Sequence, residues 1–71
     1  MSDVFQQMVD RWESAIVART EIGRFSGGVL TPKYMANLDA EGRGPERVVC
    51  GRKVAYPLQE LVEWMRKRVR A

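Results

Sequence analysis

The 71-residue chain contains no histidine and only one cysteine. Without histidine there is no imidazole base to activate a hydroxyl nucleophile, and no His ligand for a zinc site. Because a single Cys cannot form an internal disulfide, the composition fits a reducing, cytoplasmic setting. We therefore expect neither a metal site nor a fold held together by disulfides.

Long hydrophobic runs are also missing. The longest apolar stretches have three or four residues, whereas a membrane-spanning helix needs about 20. The N-terminus reads MSDVFQQMVDRW, with acidic residues early and no apolar run typical of a signal peptide. We expect a single small domain without a membrane partner, since a chain this short buries roughly 60% of its unfolded surface in one core.

Few residues could carry out catalysis. The chain has three Ser and two Thr, and none of them has a His base. Asp39 and Glu41 are two positions apart on a predicted helix, so they face different ways and do not form an acid/base pair. Cys50 falls in a predicted strand, where we expect it to act as a small buried hydrophobe. The sequence therefore predicts no enzyme, no catalytic residue and no cofactor.

The charge is unevenly distributed along the chain. Lys and Arg number 12 and Asp and Glu number 9, a net charge of +3. Residues 1–46 carry five basic and seven acidic side chains, a net −2, whereas residues 47–71 carry seven basic and two acidic, a net +5. This asymmetry indicates either a polyanionic or acidic partner, or a solvated basic end of a surface helix.

Hydrophobic spacing predicts an amphipathic helix at each end of the chain. The first helix is predicted over Asp3 to Ser14, with Ser2 or Asp3 as its N-cap. Its apolar stripe consists of Phe5, Met8, Val9, Trp12 and Ile16. The last helix is predicted to open at Pro57, and its stripe consists of Leu58, Leu61, Val62, Met65 and Val69.

The middle of the chain predicts two short helices and a hairpin. One helix runs from about Arg19 to Ser26 and ends at a Gly pair. The next is capped by Thr31, has Pro32 at its first position and stops at Gly42. Two strands, 47–50 and 53–56, then flank a bend at residues 51 and 52. Two helices joined by a Gly-containing turn form a helix-turn-helix order.

Residues 16–65 resemble the small excisionase-like and AlpA-like prophage regulators, part of the MerR-like winged-helix group. The segment IVARTEIGRFSGG is similar to the first helix of their helix-turn-helix. The segment TPKYMANLDAEGRGP resembles the recognition helix with its Gly-Pro exit, and VVCGRKVAYPLQELVEWM resembles the wing, closing strand and final helix. The resemblance implies DNA binding without catalysis, in phage excision or transcription control, by a nucleoid-associated cytoplasmic protein.

The expected fold is thus mainly α with a small β-hairpin wing. Residues 1–15 form an N-terminal amphipathic helix, and residues 16–71 form a winged helix-turn-helix, in one compact domain overall. The predicted core consists of Phe25, Met35, Leu38, Val48, Leu61, Val62 and Met65.

Seven side chains are predicted to contact DNA: Lys33, Tyr34, Asn37, Arg43, Arg47, Arg52 and Lys53. On the recognition helix, Asn37 can bond adenine through two hydrogen bonds and Lys33 can reach guanine acceptors. Tyr34 either stacks on sugar or bonds phosphate, or has a half-buried core role. At the wing, Arg52 and Lys53 suit phosphates or the minor groove, while the two remaining arginines are weaker phosphate candidates.

The expected partner is double-stranded DNA, together with a recombinase or RNA polymerase acting on it. We expect a monomer in solution that binds DNA cooperatively. The alternative is a protein-interaction or dimerisation module, such as a recombinase adaptor, without DNA specificity of its own. The N-terminal helix motivates this alternative, because it either covers the core or contacts a partner.

Overall fold

The computed structural model describes residues 3–68, which form four α-helices and a three-stranded antiparallel sheet. The elements in chain order are α1 (Val4–Arg11), β1 (Ile16–Ala18), a 3₁₀ turn (Arg19–Glu21), α2 (Ile22–Ser26), α3 (Pro32–Ala40), β2 (Val48–Cys50), β3 (Lys53–Pro57) and α4 (Leu58–Arg68). No helix within residues 3–68 combines the length and apolar character needed to cross a bilayer.

Helix α1 begins where predicted but is shorter. The Asp3 side chain accepts a hydrogen bond from the Phe5 backbone N–H at 3.0 Å, as an N-cap does. The helix ends at Arg11 rather than Ser14, because Trp12 adopts an extended backbone. The Trp12 indole then donates to the carbonyl of Ile16 at 2.9 Å. That bond holds the turn leading from α1 into β1.

The two middle helices carry the predicted caps. Helix α2 is preceded by the 3₁₀ turn and ends at Gly27, whose φ of 67° lies in the left-handed region. The Thr31 hydroxyl accepts from the Tyr34 N–H at 3.1 Å, and Pro32 occupies the first turn of α3. Between the helices, the buried Ser26 hydroxyl accepts from the Leu30 N–H at 2.9 Å. The connection between α2 and α3 is therefore fixed by a side chain at its start.

The predicted hairpin is present, and a third strand joins it. The β2 and β3 strands pair antiparallel around Gly51, whose φ is 64°. Strand β1 pairs antiparallel with β3, with Val17 opposite Tyr56, so the order is β1-β3-β2. The sequence did not reveal β1, because a three-residue strand is too short for an alternating pattern and Ile16 also continued the apolar stripe of the first helix.

The core lies between the sheet and the helices. Its ten buried hydrophobic residues are Val17, Ile22, Phe25, Leu30, Met35, Leu38, Tyr56, Leu58, Leu61 and Val62. Five of the seven predicted core residues are in this set. The prediction for Val48 is wrong: it is 47% exposed, because β2 is an edge strand and the central strand is β3. Met65 is partly buried, and Val69 lies outside the described residues.

Helix α1 packs against the core and α4 without burying any residue completely. The Trp12 ring meets the Phe25 ring edge-on, with centroids 5.1 Å apart. The Arg66 guanidinium lies 5.0 Å from the centre of the Phe5 ring and bonds the Asp3 carboxylate at 2.7 Å. This hydrogen bond from Arg66 holds the pKa of Asp3 below its usual 3.8. The start of α1 is thus tied to α4 by an aromatic contact and an ion pair.

Candidate nucleic-acid interface

Helix α3 presents one polar side to solvent. Lys33, Asn37 and Glu41 are exposed at four-residue intervals, as the sequence predicted. On the opposite side, Met35 and Leu38 are buried in the core. A helix capped at its start and anchored by buried side chains holds its exposed residues in fixed positions.

Tyr34 lies at the edge of this helix, half in contact with α4. It is 39% exposed, and its hydroxyl accepts a hydrogen bond from Arg68 at 2.8 Å. The Arg68 guanidinium in turn stacks over the Trp64 ring, 4.6 Å from its centre. The Trp64 indole donates to the carbonyl of Arg43 at 3.2 Å. Tyr34 therefore links the first turn of α3 to the last turn of α4.

Two exposed cations occupy the tip of the hairpin. Arg52 lies in the β2–β3 turn and Lys53 begins β3, next to the left-handed Gly51. Within residues 3–68, no ion pair involves Lys33, Arg52 or Lys53. These three positive charges therefore have no acidic group of the described chain to neutralise them.

The other two predicted cations are paired. The Arg43 guanidinium lies 3.3 Å from a carboxylate oxygen of Glu41. Arg47 lies 3.8 Å from Oδ1 of Asp39 and is partly exposed. The seven predicted contacts thus fall into two groups: exposed side chains without an ion pair, and two arginines that are each paired with an acid of α3 or of its C-cap.

A buried polar network fixes the far end of α3. Asp39, whose side chain is 5% exposed, accepts hydrogen bonds at Oδ2 from a guanidinium nitrogen of Arg19 and from the Tyr56 hydroxyl, the latter at 2.7 Å. The Nε of Arg19 also donates to the Tyr56 oxygen at 3.1 Å. Burial raises the pKa of Tyr56; the hydrogen bond from Arg19 opposes this shift, and the Asp39 carboxylate adds to it. The network joins α3 to β3 and to the 3₁₀ turn.

The second oxygen of the same carboxylate has a different environment. Oδ1 of Asp39 is buried without a hydrogen-bond partner among the described residues. Arg47 at 3.8 Å compensates its charge without bonding it. A Cβ on Gly44 would overlap this oxygen. The Gly-Pro exit of α3 therefore needs glycine to leave room for the carboxylate.

Arg19, Asp39 and Tyr56 were not recognised as a group from the sequence, although one signal was present. Asp39 follows Met35 by four positions and so falls on the buried side of α3. A carboxylate on a buried side needs a cation or donors nearby, which predicts a partner in the core. Neither the identity of that partner nor the presence of β1 beside it could be read from spacing.

Nothing in the described chain assembles a metal site, since residues 3–68 contain no group of three His, Cys, Asp or Glu side chains placed to hold a metal ion. The prediction of a buried Cys50 is wrong. Its side chain is exposed because it ends the edge strand β2.

Compared with protein-family models and with curated proteins, the chain matches no family and no relative. Its function is therefore inferred from its own residues and their arrangement.

Proposed function

We propose that the protein binds duplex DNA without catalysing a reaction, as a small transcriptional regulator or an excisionase-type architectural factor. In this proposal the chain is a winged helix-turn-helix preceded by an extra N-terminal helix. Helix α3 lies in the major groove as the recognition helix, and the β2–β3 hairpin is the wing that contacts the backbone.

The order and pairing of the elements support the winged-helix interpretation. Helices α2 and α3 are joined by the connection that Ser26 fixes, which supports a helix-turn-helix. The hairpin follows α3 directly, and β1 completes its sheet beside β3. Because the buried network joins α3 to β3, the helix and the hairpin are held in a fixed relation.

The observation that carries the proposal is the set of cations left without acidic partners. Of the five cations predicted to contact DNA, Lys33, Arg52 and Lys53 are exposed and take part in no ion pair within residues 3–68. Phosphate binding by such side chains releases counterions, and it needs no intramolecular pair to be broken first. Arg43 and Arg47 would each have to leave a carboxylate, so their contribution to binding is smaller.

Base reading is assigned to the exposed side of α3. Asn37 is exposed one turn after Lys33, on a helix whose backbone is held by its cap and core contacts. A planar amide on a rigid helix suits the paired donor and acceptor of adenine, and a lysine suits the acceptors of guanine. Sequence preference therefore depends on α3, and general affinity depends on the hairpin.

The test begins with selection of a preferred duplex from a random DNA pool. Binding to that duplex and to random duplex is then titrated at several salt concentrations. We expect Arg52→Ala and Lys53→Ala each to weaken binding to both duplexes and to lower the salt slope by about one. Asn37→Ala should cost about 1–3 kcal/mol on the preferred duplex and little on random DNA.

Three variants serve as controls. Arg43→Ala and Arg47→Ala should change the salt slope less than the hairpin variants do, because both arginines are ion-paired. Arg11→Ala removes an exposed cation from α1, outside the proposed interface, and should leave the slope unchanged. If the wild-type protein shows no salt-dependent binding to any duplex, the proposal is wrong and the interaction-module alternative is favoured. If Asn37→Ala weakens binding to both duplexes equally, α3 is not the reading element.

A further inference from the structure

An apolar groove lies beside α1, between that helix, the α2–α3 connection and α4. Its volume is about 550 Å³, within the range of roughly 300–1,000 Å³ typical of small-molecule sites. Its apolar lining includes Phe5, Met8, Val29, Leu30, Trp64 and Met65. Val4, at 58% exposed, and Val29, at 76% exposed, leave apolar surface open to solvent there.

The groove has one charged lining residue, Arg68. Its guanidinium is held over the Trp64 ring and donates a hydrogen bond to the Tyr34 hydroxyl. Within residues 3–68, no ion pair joins Arg68 to a carboxylate. A guanidinium has five N–H donors, so this oriented cation can still bond an anion through two of them.

The other polar side chains of the groove already take part in hydrogen bonds. The Ser26 hydroxyl donates to the Ile22 carbonyl and accepts from the Leu30 N–H, and the Tyr34 hydroxyl accepts from Arg68. The occupant that matches this lining has an apolar body for most of its surface and one anionic group for Arg68. Charge complementarity disfavours a cation, and it favours an anion over a neutral molecule of the same shape.

We infer that this groove binds a small organic anion that consists of an apolar body with one carboxylate or sulfonate. The site lies partly on α1 and α4 and does not depend on DNA binding. Binding of a small anion and binding of DNA are therefore tested in separate experiments, and either can fail without the other.

The probe is 1-anilinonaphthalene-8-sulfonate, compared with N-phenyl-1-naphthylamine, which has the same ring system without the sulfonate. Binding is measured by the fluorescence of each probe and by the two tryptophan indole N–H signals in the NMR spectrum. Trp64 lines the groove, whereas Trp12 lies in a smaller hollow beside α1. We expect both probes to shift the Trp64 signal and to leave the Trp12 signal in place.

Two pairs of variants test the assignment. Arg68→Gln should weaken the sulfonate probe by about fivefold and leave the neutral probe unchanged, as expected for an exposed ion pair. Its control, Lys67→Gln, removes a charge from the same turn of α4 and should change the affinity of neither probe.

Val4→Glu puts a carboxylate at the groove and should weaken the binding of both probes by roughly fivefold. Its control is Val49→Glu, at a valine of similar exposure on β2.

We expect Val4→Glu to keep the fold, because Val4 is 58% exposed and an acid in the first turn of α1 interacts favourably with the helix dipole. The inference is wrong if neither probe binds, or if the Trp12 signal shifts as much as the Trp64 signal. It is also wrong if Arg68→Gln and Lys67→Gln weaken the sulfonate probe equally, because the charge would then act only through general attraction.

Discussion

Replacing Tyr56 with phenylalanine should destabilise the protein by removing one hydroxyl from the buried network. The side chain is completely buried, and its hydroxyl donates to Oδ2 of Asp39 at 2.7 Å and accepts from Arg19 at 3.1 Å. A hydrogen bond to a charged group contributes about 1.5–3 kcal/mol. The ring fills the same space in the variant, so no cavity forms. We expect the free energy of unfolding to fall by about 1.5–3 kcal/mol.

That loss is large for a chain of this size, whose total stability is roughly 4–11 kcal/mol at the usual value per residue. It corresponds to a melting temperature lower by roughly 6–24 °C. The assay is urea denaturation followed by circular dichroism, with thermal melts alongside. Tyr34→Phe is the matched control: the chain has two tyrosines, and this one is 39% exposed. It should cost less than about 0.5 kcal/mol.

The pH dependence provides a second measurement. The pKa of Tyr56 is raised above 10.0 in the folded protein, chiefly by burial. Between the unfolded and folded pKa values the folded state binds more protons, so stability falls as the pH rises above about 10. Tyr56→Phe has no hydroxyl to ionise at this position. The difference in unfolding free energy between wild type and variant should therefore become smaller above about pH 10. Equal costs for the two Tyr→Phe variants, or a gap that widens in alkali, would refute the reasoning.

Three further predictions concern the core, the α3 exit and the N-terminal ion pair. Leu61→Ala removes a fully buried side chain and should cost about 2–5 kcal/mol in a urea titration; an unchanged midpoint would exclude Leu61 from the core. Gly44→Ala places a methyl against Oδ1 of Asp39 and should cost about 1–3 kcal/mol, measured in the same way. Because Arg66 lowers the pKa of Asp3, the stability of the wild type should fall as the pH drops below 3.8. Asp3→Asn lacks this carboxylate, so its urea midpoint should fall less than that of the wild type over the same pH range.

The helices were predictable because each has a local signal. Thr31 and Pro32 mark the start of α3, and the observed cap and first-turn proline confirm that prediction. The hairpin was predictable from β-branched residues around Gly51, which takes the left-handed conformation there. These signals act over three or four residues, so they do not depend on the rest of the fold.

Features that depend on distant partners were not predictable. Strand β1 forms because it pairs with β3, with Val17 opposite Tyr56, which is 39 positions away in the sequence. The exposure of Val48 depends on β3, not β2, being the central strand. The sequence shows that both segments favour strands, but not which strand lies at the edge. The exposed contacts on α3 were predictable, because helical spacing alone places Lys33 and Asn37 on its polar side.

The charge of α3 illustrates how burial changes the interpretation of a sequence. The segment from Pro32 to Glu41 contains one lysine and two acids, a composition that opposes contact with DNA. In the folded protein Asp39 points into the core and is paired with Arg19, and Glu41 is paired with Arg43. Both acids are thus compensated by neighbouring arginines, and Lys33 is the charge of α3 left without an ion pair within residues 3–68. The exposed side of α3 is therefore positively charged at its first turn. A phosphate backbone attracts positive charge.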